Sequence, residues 1–103
     1  MSEAKKPRVM TLCGSTRFRA EYEAANRALT LRGIIVISVG LFGHGEPEAL
    51  SEDVKGRLDE LHLRKIDISD GIYVINPGNY VGDSTRREID YAVRTGKSVE
   101  YMF

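Results

Sequence analysis

The chain has 103 residues, enough for one domain with one core, and its 42% hydrophobic and 29% charged residues are ordinary for a globular protein. Lys+Arg and Asp+Glu balance at 15 each, so bulk charge argues for neither polymeric nucleic acid nor a membrane surface as partner. Cys13 is the only cysteine, which excludes an intramolecular disulfide, and no apolar run approaches the ~20 residues of a membrane span.

Residues 1–7 read as a flexible tail ending at Pro7. The opening MSEAKKPR lacks the apolar segment of a secretory leader, and with a single cysteine this leads to the expectation of a cytoplasmic protein. Arg8–Cys13 (RVMTLC) is a short β-prone run that stops at Gly14, as a buried parallel strand does, and Cys13 in it reads as a buried structural thiol. From Phe18 to Arg32 the apolar positions Phe18, Tyr22, Ala25 and Leu29 recur at helical spacing, and Gly33 is the stop. Ile34–Val39 (IIVISV) is a second strand by its β-branched density.

Gly40–Leu50 is glycine-rich and irregular. His44 within it is a conceivable ligand contact, although Gly43 and Gly45 around it argue for mere mobility. Ser51, followed by Glu52 and Asp53, supplies a cap and first-turn acids for a helix running to about Ser69. Val54, Leu58, Leu61 and Ile68, with Ile66 flanking, would face the sheet, and His62 would sit on the helix surface. Asp70 ends that helix, Gly71–Asn76 is the third strand, and a Gly/Pro loop leads to a third helix starting at Ser84 or Thr85 and ending at Gly96. Ser98–Phe103 closes the chain as a fourth strand.

Buried strands alternating with amphipathic helices define an α/β domain with a parallel sheet covered on both faces. The expected fold is flavodoxin-like or Rossmann-like, about four strands in order 2-1-3-4. In that order the first and third strands meet at the topological switch point, where ligands bind beyond the carboxyl ends. The segments leaving those strands are Gly14–Arg17 and Asn76–Ser84, which makes Gly14, Ser15, Thr16, Arg17, Asn76, Gly78, Asn79, Tyr80, Gly82 and Ser84 candidate substrate contacts.

Gly14-Ser15-Thr16-Arg17 suits a phosphate, because hydroxyls, a guanidinium and a helix N-terminus add together there; the plain alternative is that Ser15 or Thr16 caps the helix. The turn is not a P-loop, and GxGxxG is absent. Glu88 fits a capping box with Thr85 (S/T-x-x-E) as well as a catalytic carboxylate at a cleft. Tyr91, one turn on, would orient that carboxylate or pack in the core. No pair of His, Cys or acidic residues has metal-ligand spacing in the sequence, so neither metal nor cofactor is expected.

CGSTRF after the first strand, ISVGLFGH after the second and DGIYVINPGNYVGDSTRREIDYA at the third together resemble the nucleoside 2-deoxyribosyltransferase-like superfamily, in particular its short phage and bacterial members. The resemblance spans roughly residues 8–102 and makes residues 8–103 one domain of that kind. It implies cleavage of an N-glycosidic bond in a (deoxy)nucleoside or its 5′-monophosphate, by hydrolysis or base transfer. Glu88 is the implied nucleophile, and Ser15, Arg17 and Ser84 the implied phosphate contacts. Family members place an Asp about two turns before the third strand. Here that neighbourhood holds His62, with Asp59 one turn earlier and Asp67 one and a half turns later, and the choice among the three stays open. The expectation is therefore a homodimeric N-glycosidase-like hydrolase or transferase. The alternatives are a non-catalytic nucleotide-binding or sensing module on the same fold and a purely structural partner protein.

Overall fold

A computed structural model describes residues 6–42 and 51–103; His44 and residues 1–5 lie outside the described residues. Four strands, β1 (Val9–Gly14), β2 (Ile35–Ile37), β3 (Gly71–Ile75) and β4 (Ser98–Tyr101), form one parallel sheet in the order β2-β1-β3-β4. The crossovers carry three α-helices among the described residues, α1 (Arg19–Leu31), α2 (Glu52–Asp67) and α3 (Asp83–Arg94). This is the α/β, flavodoxin-like or Rossmann-like arrangement expected from the alternation of elements.

Side chains alternate across β1, so one strand feeds two cores. Met10 and Leu12 meet Tyr22, Ala25 and Leu29 of α1, with Ile34 and Ile75. Cys13 faces the other way and packs with Ile72 and Val74 of β3, Ile66 of α2 and Ala92 of α3. The α1 face is the one the sequence spacing indicated, and Gly33 ends the helix with φ +83°, a conformation costly for any side chain. β2 is shorter than expected because it is a sheet edge with one neighbour, and Ile35 on it is half exposed.

The face that α2 buries differs from the expected one. His62 and Ile66, one turn apart, are its buried residues, while Leu61 is 51% and Ile68 71% exposed. The reason lies in what the opposing sheet offers. Thr11 of β1 bonds to Ser69 (2.6 Å) and to the Lys65 carbonyl (3.2 Å), and Cys13 bonds to His62. Polar partners on β1 thus admit a polar helix face that hydrophobic periodicity ranks low. His62 is accordingly not a surface residue.

α3 begins at Asp83, one or two residues earlier than expected, with Gly82 at the N-cap and no side-chain cap. Thr85 is buried in the first turn and Glu88 lies in the second, so the two do not form the capping box that their spacing suggests. The loop before α3 is a 3₁₀ turn at Pro77–Asn79, in which Gly78 and Asn79 both take positive φ (62° and 63°).

At the other end of the sheet, Asp70 fixes register rather than chemistry. Its carboxylate accepts from the Val9 N–H at 2.8 Å, and its backbone bonds to both Val9 and Ser98. None of the described helices is long and apolar enough to cross a membrane.

Candidate functional site

The carboxyl ends of β1 and β3 open into a cleft of about 730 Å³. One wall is the turn after β1, Gly14, Ser15 and Thr16; a second is the start of α3, Gly82 to Thr85; the third is α2, with Lys55, Asp59, His62 and Lys65. Tyr22, Tyr80 and an apolar edge of Val39, Leu41, Leu58 and Leu61 add to the lining, and Glu88 reaches the floor. Gly14 is required at the junction of the strands: a Cβ there would stand 2.7 Å from the Ile75 carbonyl oxygen and 2.9 Å from the Ile75 Cβ. The turn and β3 are thereby held in contact at the switch point.

The floor is a cluster of three side chains from three elements. Cys13 Sγ is 3.2 Å from His62 Nε2, and His62 Nε2 is 3.6 Å from Glu88 Oε1. The Cys13 sulfur and a Glu88 carboxylate oxygen lie within 4.8 Å of each other. The His62 and Glu88 side chains are 10% and 15% exposed, so these groups meet in a nearly dry setting.

Burial governs their ionisation. Desolvation, with a smaller contribution from Asp59, raises Glu88 to about 7, against relief from the neighbouring Cys13 thiol, Arg87 and Lys55. Desolvation and the nearby Lys65 lower His62 to about 4, and Asp59 opposes them. Desolvation, followed by the Glu88 carboxylate, pushes the Cys13 thiol well above its ordinary range. Near neutral pH His62 is uncharged, so its 3.6 Å approach to Glu88 is a polar contact between an imidazole and a half-titrated carboxyl group rather than an ion pair.

The residues singled out in the sequence divide into two sets. Gly14, Ser15, Thr16, Tyr80, Gly82, Ser84, Asp59, His62 and Glu88 line one cleft. Arg17 stands at its rim, with its guanidinium stacked 4.3 Å from the Tyr80 ring centroid and 5.0 Å from that of Phe18. Ser15 does not cap α1; its hydroxyl accepts from the Arg17 N–H at 3.3 Å, and α1 has no side-chain cap.

The remaining candidates lie elsewhere. Asn76 is buried and clasps the chain end, accepting from the Phe103 N–H (2.9 Å) and donating to the Phe103 carbonyl (3.3 Å). Gly78 and Asn79 are exposed and outside the cleft lining. Asp67 is bound by the Tyr91 hydroxyl and by Arg64 at 3.2 Å, so these two candidates engage each other along the α2–α3 flank. Tyr91 also packs against the second core, as its packing alternative requires.

Several lining residues were missed, among them Lys55, Lys65 and Tyr22, and so was the role of Cys13, which is fully buried next to His62. Lys55, Asp59 and His62 stand at i, i+4 and i+7, one stripe of a helix, and that charged stripe was the available signal. Tyr22 passed as an ordinary core residue, yet its hydroxyl reaches through to donate to the Gly14 carbonyl at 2.8 Å. No family model, curated protein or solved structure matches the chain. A functional reading therefore stands on the fold and on this cleft.

Proposed function

We propose that the cleft takes a nucleoside or nucleoside 5′-monophosphate and that Glu88 attacks the anomeric carbon of its sugar, releasing the base. The observation that carries this reading is the largely buried Glu88 carboxyl group lining the same switch-point cleft as the Gly14–Thr16 turn. An oxocarbenium-like sugar is stabilised by an adjacent carboxylate, and covalent capture divides one difficult step into two.

In this reading the ionised form of Glu88 forms the ester to the sugar, and the glycosidic electron pair leaves with the base. Of the two other carboxyl groups lining the cleft, Asp59 and Asp83, Asp59 stands on the α2 wall with His62 and is the residue assigned to supply a proton to the leaving base. His62, kept neutral by burial, orients the carboxylate. Water then opens the ester, or a second base does so in a transfer.

A 5′-phosphate belongs at the β1 side of the cleft rather than at the start of α3. Asp83 puts a negative charge in the first turn of α3, whereas the β1 side offers Ser15 and Thr16, with Lys55 and Lys65 across the cleft. Arg17 at the rim joins them by leaving its stack on Tyr80.

The test is incubation with a panel of ribo- and deoxyribonucleosides and their 5′-monophosphates, with free base measured by chromatography. Base release that falls at least about 10³-fold in Glu88→Gln is the expected result, since a covalent nucleophile has been removed. Tight nucleotide binding with no release, unchanged in Glu88→Gln, would reduce the protein to a binding module. Loss of monophosphate and nucleoside affinity to the same degree in Arg17→Ala would remove the phosphate assignment.

A further inference from the structure

Three chemically distinct metal-binding side chains converge beneath the cleft, and they come from positions 13, 62 and 88, too far apart in the chain for any linear motif. Their ligand atoms, Cys13 Sγ, a His62 ring nitrogen and a Glu88 carboxylate oxygen, all lie within 4.8 Å of one another. We propose that Cys13, His62 and Glu88 form a binding site for a thiophilic divalent cation of the Zn²⁺ class, with its fourth position open to the cleft.

The spacing supports this in detail. A tetrahedral zinc with Zn–S of ~2.3 Å and Zn–N and Zn–O of ~2.0 Å separates sulfur from nitrogen by about 3.5 Å and nitrogen from oxygen by about 3.3 Å. The corresponding separations here are 3.2 Å and 3.6 Å, each within a few tenths of an ångström of that geometry, and the sulfur–oxygen pair lies within 4.8 Å, so modest side-chain adjustment brings all three ligands onto one ion. The donors sit on regular structure, at the end of β1, in the middle of α2 and in the second turn of α3, which keeps the triangle in place.

The donor set is soft and nitrogenous, one thiolate, one imidazole and one carboxylate, which favours Zn²⁺ or Co²⁺ over Mg²⁺ or Ca²⁺. Three protein ligands with an open fourth position is the pattern of a site accessible to solvent or substrate rather than a closed structural one. Around it, Asp59 adds a negative charge, Lys55 is 3.8 Å from that carboxylate, and the Lys65 ammonium is tied to the Ser38 carbonyl at 2.9 Å. Arg87, next to Glu88 on α3, is exposed and donates to the Ser84 hydroxyl at 3.3 Å, and the Tyr22 hydroxyl is held on the Gly14 carbonyl.

Binding is an exchange of protons for metal without redox change. The cation displaces the proton of the Cys13 thiol, and that of Glu88 where the carboxyl is protonated, into solvent. His62 coordinates through Nε2 with its remaining N–H on Nδ1, and a water fills the fourth position. On the glycosidic reading above, and resting on it, metal and sugar compete for the same Glu88 carboxylate, so saturating Zn²⁺ suppresses base release.

The experiment is a Co²⁺ titration of the chelator-treated full chain, read by absorption with no nucleotide present. A thiolate-to-cobalt band in the near ultraviolet that rises to one equivalent, and that Zn²⁺ bleaches, is the expected result. Cys13→Ser, checked for native far-ultraviolet circular dichroism, should abolish that band, and Glu88→Gln should weaken cobalt binding by more than about tenfold. The wild-type chain alone can overturn the proposal, by showing no band at millimolar Co²⁺. A band that survives Cys13→Ser, or an affinity indifferent to Glu88→Gln, would overturn it as well. Because the readout is spectroscopic, a protein that binds cobalt and releases no base from any nucleotide loses the glycosidic reading and keeps this one.

Discussion

On the α1 side of the sheet, Met10, Leu12, Tyr22, Ala25, Leu29 and Ile75 close on one another as a nearly apolar layer. On the side of α2 and α3, Cys13, Ile66, Ile72, Val74 and Ala92 share the interior with Thr11, His62, Ser69 and Thr85, and with the Glu88 carboxyl group at its edge. The first face contributes stability by removing carbon from water. The second gives up part of that contribution to hold titratable groups near each other in a low dielectric, where desolvation moves their pKa values toward each other and past. One strand, β1, supplies both faces by alternation, so stability and chemistry are separated by a single residue step.

The contrast can be broken by mutation. The largest stability effect belongs to the α1 face: Leu29→Ala should cost about 2–5 kcal/mol in urea unfolding, because a buried leucine leaves a cavity between α1 and the sheet. A loss under ~1 kcal/mol would mean that α1 is not the stabilising layer.

Next comes an effect of opposite sign on the other face. Glu88 is raised from 4.5 to about 7, so the stability that its bound proton contributes is complete below pH 4.5 and is lost as pH rises through 7. His62 is lowered from 6.5 to about 4, so its contribution is complete above pH 6.5 and is lost as pH falls through 4. Between pH 4.5 and 6.5 the unfolded chain carries a charged histidine and a charged carboxylate, while the fold carries neither charge. The proton counts are equal, and this pair contributes no slope there. Above that window only Glu88 acts. In chelator, Glu88→Gln should therefore be more stable than the parent at pH 8, by about 3 kcal/mol, with most of the gap closed by pH 5. A variant less stable than the parent at pH 8 would show that Glu88 is held there as a favourable, paired charge.

The smallest effect sharpens the comparison from outside both faces. Arg19 and Glu23 form an exposed i,i+4 pair at 3.6 Å on α1, and Glu23→Gln should change stability by less than ~0.5 kcal/mol. A larger change would mean that surface charge, and not the buried layer beneath, sets the stability of that helix.

The sequence by itself determined the architecture. β-branched runs, glycine stops and the Tyr22, Ala25, Leu29 spacing were sufficient for the element order, the parallel sheet and the 2-1-3-4 arrangement, because hydrophobic periodicity and turn chemistry are local properties of the chain. They also brought Glu88 and the Gly14–Thr16 turn to the same end of the sheet, since a switch point follows from strand order alone.

Tertiary structure decided what surrounds that carboxylate. It turned His62 inward where periodicity indicated Leu58, Leu61 and Ile68, because Thr11 and Cys13 offered polar partners that no helical pattern reports. It moved the start of α3 to Asp83 and so left Glu88 without a capping role. It also separated Asp59, in the cleft, from Asp67, held by Tyr91 on the flank, although both lie on the same helix. The meeting of Cys13, His62 and Glu88 depends on three backbone segments packing at once. A linear sequence states which residues share an element, and only the packing of those elements decides which side chains touch.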